Sequence, residues 1–148
     1  MSPTLIPLMH LAVNVAPPVF VDASPAGRRM IPLTGGIVSG GLSGKIVPGG
    51  DWQTSFPDGR LEISAHYALD IEGHGIVEVQ SDGVRHGPPE VLAALAKGEP
   101  VEPSRYYFRT AIRLFTSAPG LLRLNAILAV SSGQRQRDRV LLDVYEVT

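Results

Sequence analysis

Leu61-Glu62-Ile63-Ser64-Ala65-His66-Tyr67-Ala68-Leu69-Asp70 decides the fold class. Leu61, Ile63, Ala65, Tyr67 and Leu69 point to one side of an extended chain; Glu62, Ser64, His66, Ala68 and Asp70 point to the other. A period of two with one apolar side belongs to a strand that is half buried. Gly73-His74-Gly75 then supplies a turn and residues 76–79 begin a return strand, so the segment is predicted to be a hairpin.

Working outward, the same reading predicts strands over 8–15, 19–22, 29–33, 36–47 (bent at Gly40-Gly41), 106–116, 121–131 and 139–147. The last is rich in Val, Leu and Tyr, as a buried strand should be. Sixteen glycines and 13 prolines are spread along the 148 residues, the punctuation of many short strands joined by turns. One helix is predicted over 89–97, with proline at its start, Val91, Leu92 and Leu95 on one face, and Gly98 as its stop. No repeat, low-complexity tract or linker divides the chain. Residues 1–148 therefore read as a single domain, large enough for one core. Eight to ten short strands and one helix imply a mainly β fold, a closed antiparallel barrel or a sandwich. Closure removes exposed sheet edges, and eight strands enclose room for about one small ligand.

Composition excludes several function classes. The net charge of −1 argues against a nucleic-acid or anionic-membrane partner. With no cysteine there can be no disulfide, thiolate nucleophile or thiolate metal site. The apolar N-terminus has no basic leading segment and is broken by Pro3, Pro7, His10, Asn14, Pro17 and Pro18, unlike a signal peptide. No window approaches the ~20 apolar residues of a membrane helix, so a cytoplasmic location is expected. Gly44-Lys45 fails as a phosphate loop, because Ser39 stands where the first glycine is needed and Ile46 follows the lysine. Ser43 lies between Gly41 and Lys45, so the nucleophile elbow lacks its second glycine. His10, His66, His74 and His86 have no metal-ligand spacing, so neither metal nor cofactor is implied. Arg135-Gln136-Arg137-Asp138-Arg139, the one basic cluster, lacks interleaved aromatics and reads as a solvated hairpin loop.

Candidate chemistry gathers in three segments. In 106–115, Tyr107, Arg109, Ala111, Arg113 and Phe115 share one face; Tyr106, Phe108, Thr110, Ile112 and Leu114 share the other, which looks like core. If the first face looked into the barrel, Arg109 would be a buried cation needing an anion. A substrate carboxylate, enolate or phenolate would serve, and so would an internal bridge to Asp51 or Glu90. Arg85-His86-Gly87 forms a loop-to-helix corner where His86 could act as a general acid or base, or could pack against the helix start. Asp51-Trp52-Gln53 follows a Gly-Gly turn. Trp52 could floor a pocket or plug the barrel, and Asp51 could orient His86 or pair with Arg109.

These segments resemble the DUF3237 (UPF0311) family of small bacterial and fungal proteins. The resemblance rests on Arg85-His86-Gly87-Pro88, Tyr107-Phe108-Arg109-Thr110 and Asp51-Trp52-Gln53, together with Thr34-Gly35-Gly36 and the closing Asp143-Val144-Tyr145. It runs over nearly the whole chain, favours the barrel over the sandwich and implies no particular reaction. Arg123-Leu124-Asn125 stands where the family pattern has W-L-N, Leu114-Phe115-Thr116 where it has F-E-T, and Ser64 where many relatives carry Asp. If those residues line the pocket, the departures imply a different ligand from that of the relatives.

The expected function is a small-molecule-binding barrel doing cofactor-independent proton transfer (isomerase, cyclase or lyase chemistry) on an oxygenated organic substrate. His86, Arg109 and Tyr107 are the candidate catalytic residues, with Asp51, Trp52, Arg85, Arg113, Asn125 and Tyr67 as candidate ligand-binding residues. The alternative is a carrier barrel in which the same groups only orient a ligand. Apolar strands and the Pro-rich N-terminal arm would suit a homodimer.

Overall fold

The computed structural model describes residues 1–22 and 27–148. Its strands are β1 (Leu5–Val15), β2 (Val19–Phe20), β3 (Arg28–Ser39), β4 (Gly44–Ser55), β5 (Leu61–Ile71), β6 (Gly75–His86), β7 (Tyr107–Phe115), β8 (Leu128–Arg135) and β9 (Arg139–Val147), with one helix, α1 (Pro89–Ala96). The antiparallel order is β1-β9-β8-β7-β6-β5-β4-β3, and β3 pairs back with β1. Eight strands thus close a barrel, and the two-residue β2 adds to the edge of β3. Among the described residues no helix is long and apolar enough to cross a membrane.

The hairpin that decided the fold is β5–β6. Leu61, Ile63, Tyr67, Leu69 and Ile71 are buried, and Glu62, Ser64, His66 and Asp70 lie outside. Its ladder runs unbroken from Leu61 opposite Arg85 to Ile71 opposite Gly75. Three predicted boundaries are corrected. The strand expected over 36–47 is two strands, because the chain reverses fully through residues 40–43 instead of bending. Gly49-Gly50 is no turn: both lie inside β4, at a bulge where its register against β5 slips between Val47 and Gly50. The strand expected over 121–131 starts only at Leu128, because Leu122–Ala126 coils into a 3-10 turn whose Leu124 plugs the barrel end.

Closure depends on β3 pairing with β1 as well as with β4. Its pairing with β4 lapses between Leu33 and Ile37, and there it pairs with β1, Val13 opposite Gly36 and Asn14 opposite Gly35. Gly35 and Gly36 carry φ of +140° and +141°, which side chains rarely adopt, and a Cβ on Gly36 would sit 2.0 Å from the Ala12 carbonyl oxygen. The Thr34-Gly35-Gly36 motif is therefore the seam.

The interior divides along the barrel axis. At the end carrying the β3–β4 and β5–β6 turns, Leu11, Val38, Leu69, Val77, Ile112, Leu114 and Val144 pack a dry core. The opposite end is covered by the segment between β6 and β7. There Pro at the first position starts α1, whose Val91 and Leu95 are buried. The Tyr106 hydroxyl accepts the Arg135 backbone N–H at 2.9 Å and ties this cover to β8.

Gly36→Ala should lower stability by more than about 3 kcal/mol, since it adds a backbone clash to an unfavourable φ at the seam. Gly73→Ala, at φ +75° with open space around it, should cost only about 1 kcal/mol. Urea unfolding midpoints check the pair; equal losses would mean that the seam is not where closure is decided.

Candidate functional site

Strand parity determines which side chains enter the barrel. On β7 the burial alternates strictly: Phe108, Thr110, Ile112 and Leu114 inside, Tyr107, Arg109, Ala111, Arg113 and Phe115 outside. The face expected to offer Arg109 as a buried cation is thus the outer one. Arg109 stacks over the Tyr107 ring at 5.6 Å, donates to the Phe108 carbonyl at 3.0 Å, and is exposed; Arg113 lies 5.4 Å over Phe115 in the same way. Apolar Phe108, Ile112 and Leu114 take the interior, and one strand cannot bury both faces of this barrel wall.

Three further expectations change on the same ground. His86, the last residue of β6, is exposed, and its Nε2 lies 3.2 Å from the Asp58 carbonyl oxygen in the β4–β5 loop. Trp52 is 45% exposed on the outside of β4 with Arg28 over its ring at 5.8 Å, so it neither floors nor plugs the cavity. Asn125 is exposed and braces the 3-10 turn, accepting from the Thr116 backbone N–H at 2.9 Å and donating to the Thr116 and Leu122 carbonyls. Asp51 therefore meets neither His86 nor Arg109.

Asp51, Tyr67 and Arg85 do come together, inside the barrel at the α1 end, with five polar residues that sequence reasoning did not place in the site: Arg29, Gln53, Ser81, Thr110 and Arg135. Arg29 stands near the start of β3, Arg85 near the end of β6 and Arg135 at the end of β8, all at the same barrel end. Arg135 is therefore no part of a solvated loop. Asp51, Tyr67 and Ser81 lie deeper along their strands. The cavity leaves about 60 Å³ open to the centre of a water molecule, enough for several waters, and its remaining walls include Val13, Ile31, Leu33, Ile63, Val140 and Leu142.

A short relay organises the acid. Gln53 Nε2 donates to Asp51 Oδ2 at 2.7 Å, and Arg29 Nε donates to Gln53 Oε1 at 2.9 Å. The amide stands between the carboxyl and the guanidinium, and none of the three arginines forms an ion pair among the described residues. Four buried polar atoms have no hydrogen-bond partner there: Asp51 Oδ1, Tyr67 OH, Arg85 Nε and Arg135 Nη1. Natural interiors rarely leave such groups unpaired, and four in one cavity mark a place built for something polar.

Burial pushes the Asp51 carboxyl from 3.8 up to about 6, against hydrogen bonds from Gln53 and the Ser64 backbone and the fields of Arg85 and Arg29. Burial also lowers Arg85 to about 10, helped by repulsion from Arg29 and Arg135, and lowers Arg29 and Arg135. All three remain cations at neutral pH. Burial, then the Asp51 charge, raises Tyr67, which stays a phenol and a donor. Outside the cavity, His10 with Asp143 and His66 with Glu78 form exposed surface pairs. Among the described residues no cluster of three or more His, Asp or Glu gathers as metal ligands.

The family model described as a protein of unknown function, DUF3237, matches residues 3–147, and the chain belongs to that family. A UPF0311 protein of Bradyrhizobium diazoefficiens is 38% identical over 99% of both chains. Another from Rhodopseudomonas palustris is 43% identical over 81% of this chain and 80% of its own. Among solved structures, a conserved protein of unknown function from R. palustris superimposes with a TM-score of 0.90 at 37% identity, covering all of both chains. A β-barrel-like protein from Acinetobacter baumannii gives 0.83 at 34% identity, over 100% of this chain and 98% of its own. An enzyme from Penicillium herquei gives 0.72 at 20% identity, over 100% and 96%, a likeness of fold alone.

The raised Asp51 carboxyl has a consequence for stability. Its folded-state value lies above the unfolded one, so the folded form holds the proton more tightly. That contribution is full below about 3.8 and is lost as pH rises through about 6. Ionisation at neutral pH then costs on the order of 3 kcal/mol. Asp51→Asn should therefore raise stability at pH 7.5 by up to about that amount, with the gain vanishing near pH 3.5. Thermal unfolding in a buffer free of carboxylate and phosphate measures it; a variant less stable at pH 7.5 would show Asp51 acting as a structural counter-ion to the arginines.

Proposed function

We propose that the cavity binds a small oxygenated organic molecule and moves a proton next to its carbonyl, with Asp51 as the base and no cofactor. The observation that carries this reading is a carboxyl with one free oxygen, poised near pH 6, in the same cavity as a phenol and three cations. A base is most useful when its pKa lies near the working pH, and burial has brought Asp51 there.

In the reaction, Asp51 Oδ1 takes a proton from the carbon beside the carbonyl. The C–H electron pair becomes a C=C bond and the carbonyl π pair moves to oxygen, giving an enolate. Tyr67 OH donates to that oxygen, and the arginine cluster lowers the energy of its charge in a site with little water. Return of the proton from Asp51 to a different carbon gives isomerisation. Collapse of the enolate with loss of a β leaving group gives elimination, and attack on an electrophilic carbon of the same molecule gives cyclisation. In elimination the proton leaves Asp51 with the departing group. In cyclisation onto a second carbonyl carbon it passes to the oxygen that receives the displaced π pair, so each variant returns Asp51 to its carboxylate.

A carrier needs matched polarity but no group near its own titration point. An anion carrier would be weakened by a carboxylate facing its ligand, so the Asp51 environment favours the proton-transfer reading. His86, Arg109 and Tyr107, on the outer surface, have no part in it.

Incubation with a panel of small linear and cyclic ketones in D2O, followed by mass spectrometry, tests the proposal. Wild-type protein should speed deuterium entry beside the carbonyl of at least one compound, and Asp51→Asn should lose about a hundredfold or more of that rate. The wild-type rate should climb with pH through about 6 and then level off, because the base must be ionised. Exchange at equal rates with wild type and Asp51→Asn for every compound would sink the reading.

A further inference from the structure

Three arginines converge on a cavity whose only carboxyl among the described lining residues is Asp51. With Asp51 ionised those lining residues carry an excess of two positive charges, part of which the nearby Asp138 offsets at Arg135. The guanidiniums repel one another, as the lowering of Arg85 by Arg29 and Arg135 shows. Such a cluster is unfavourable in the empty protein, since buried cations need anions or several acceptors. Gln53 supplies one acceptor to Arg29, while Arg85 Nε and Arg135 Nη1 have none among the described residues. Both unpartnered N–H groups belong to residues at the ends of their strands, whereas Asp51, Tyr67 and Ser81 lie deeper.

We infer that the substrate is a small oxo-carboxylate, held by its carboxylate between Arg85, Arg135 and Arg29 at the α1 end of the barrel, with its carbonyl directed inward to Tyr67 and Asp51. This assignment rests on the proton-transfer reading of the same cavity and adds the class of molecule.

Three features select a carboxylate with a hydrocarbon body. Guanidinium forks match the two in-plane oxygens of a carboxylate. The walls beyond the arginines, Val13, Ile31, Leu33, Ile63, Val140 and Leu142, suit an aliphatic or cyclic body and offer nothing to a second charged group. Open space of about 60 Å³ limits that body to a few carbons or one small ring. Inorganic phosphate would bring more negative charge toward Asp51 and leave the apolar walls unfilled. A neutral ketone would fill those walls and leave the arginines unpaired.

Fixing the carboxylate also assigns a direction to the chemistry. An oxo-acid anchored at the strand ends presents the carbon between its two functional groups, or the one beyond the carbonyl, to the deeper layer. The arginines hold the carboxylate and their field also favours the enolate charge, while Tyr67 donates the hydrogen bond to the enolate oxygen.

Isothermal titration calorimetry at pH 7.5 with levulinate, cyclohexanecarboxylate, their methyl esters and inorganic phosphate tests the inference. At least one acid should bind wild-type protein, with its ester weaker by at least about tenfold. Arg85→Met and Arg135→Gln should each weaken that acid by about tenfold or more, and a folded state of either variant, checked by circular dichroism, suffices. Arg109→Gln, on the outer face, should change nothing. Asp51→Asn should bind the acid at least as tightly, since a repelling charge is gone.

The inference is overturned if neither acid binds, if ester and acid bind alike, if phosphate binds tighter than both acids, or if Arg109→Gln loses as much as Arg85→Met. The two readings fail separately. An acid that binds through Arg85, with deuterium exchange no faster than in Asp51→Asn, upholds the carboxylate site and removes the proton transfer. Exchange that depends on Asp51 but treats esters and acids alike removes the carboxylate site and leaves the proton transfer standing.

Discussion

Closure of β3 onto β1 is the constraint from which the cavity follows. An open sheet of these strands would have two usable faces, and a charged residue could choose the wet one. Once β3 pairs with β1 at Gly35 and Gly36, every strand has one inside and one outside, and parity assigns each side chain. Arg85 shares parity with Val77, Val79 and Ser81, so burying that apolar run carries the arginine inward as well. Arg29 shares parity with Ile31 and Leu33 in the same way, and Arg135 with Ala129, Ser131 and Gly133. The arginines meet because three separate strands each turn one set of side chains inward and carry a cation of that parity at their α1 end.

The two halves of the barrel therefore do different work. Leu11, Leu69, Val77, Ile112, Leu114 and Val144 fill one end with buried apolar side chains and supply the favourable burial. The α1 end carries desolvated charge and unpartnered polar atoms, which cost stability. Thr110 and Ser131 mark the boundary: both are buried, and each hydroxyl satisfies the other at 2.6 Å, so polarity ends there without a penalty. A fold that concentrates its stability in one layer can tolerate a strained layer next to it.

How much of this was legible follows from the range of each signal. The period-two run in β5 lies within ten residues, so the strand, its hairpin and the inward face could be read directly. The count of short strands and one helix left a barrel or a sandwich, and the DUF3237 resemblance favoured the barrel. The apolar face of β7 was also legible, yet Arg109 attracted a role because it stood in a distinctive motif; parity with Phe108, Ile112 and Leu114 already argued that it faces out. The arginine cluster joins positions 29, 85 and 135, which no local pattern connects. Arg135 looked like loop because it opens a run of charges, whereas β8 extends through it. A check of each strand's inward-parity position nearest the α1 end would have found all three.

Asp51 faces three cations, and an acid so placed would ordinarily be held well below its usual range; here burial wins and lifts it to about 6. The reason lies in Gln53. If Arg29 reached Asp51 directly, the pair would neutralise itself, the acid would lose its basicity and the cation would be spent. The amide instead accepts from Arg29 with its oxygen and donates to Asp51 with its nitrogen, satisfying one oxygen of the acid and one N–H of the arginine while keeping the two charges apart. Asp51 Oδ1 stays free for a proton and the arginines stay free for an anion. Glutamate at this position would add a second carboxylate beside Asp51, and an apolar residue would let the ion pair form. Only an uncharged group that both donates and accepts keeps the base and the anion site in one cavity.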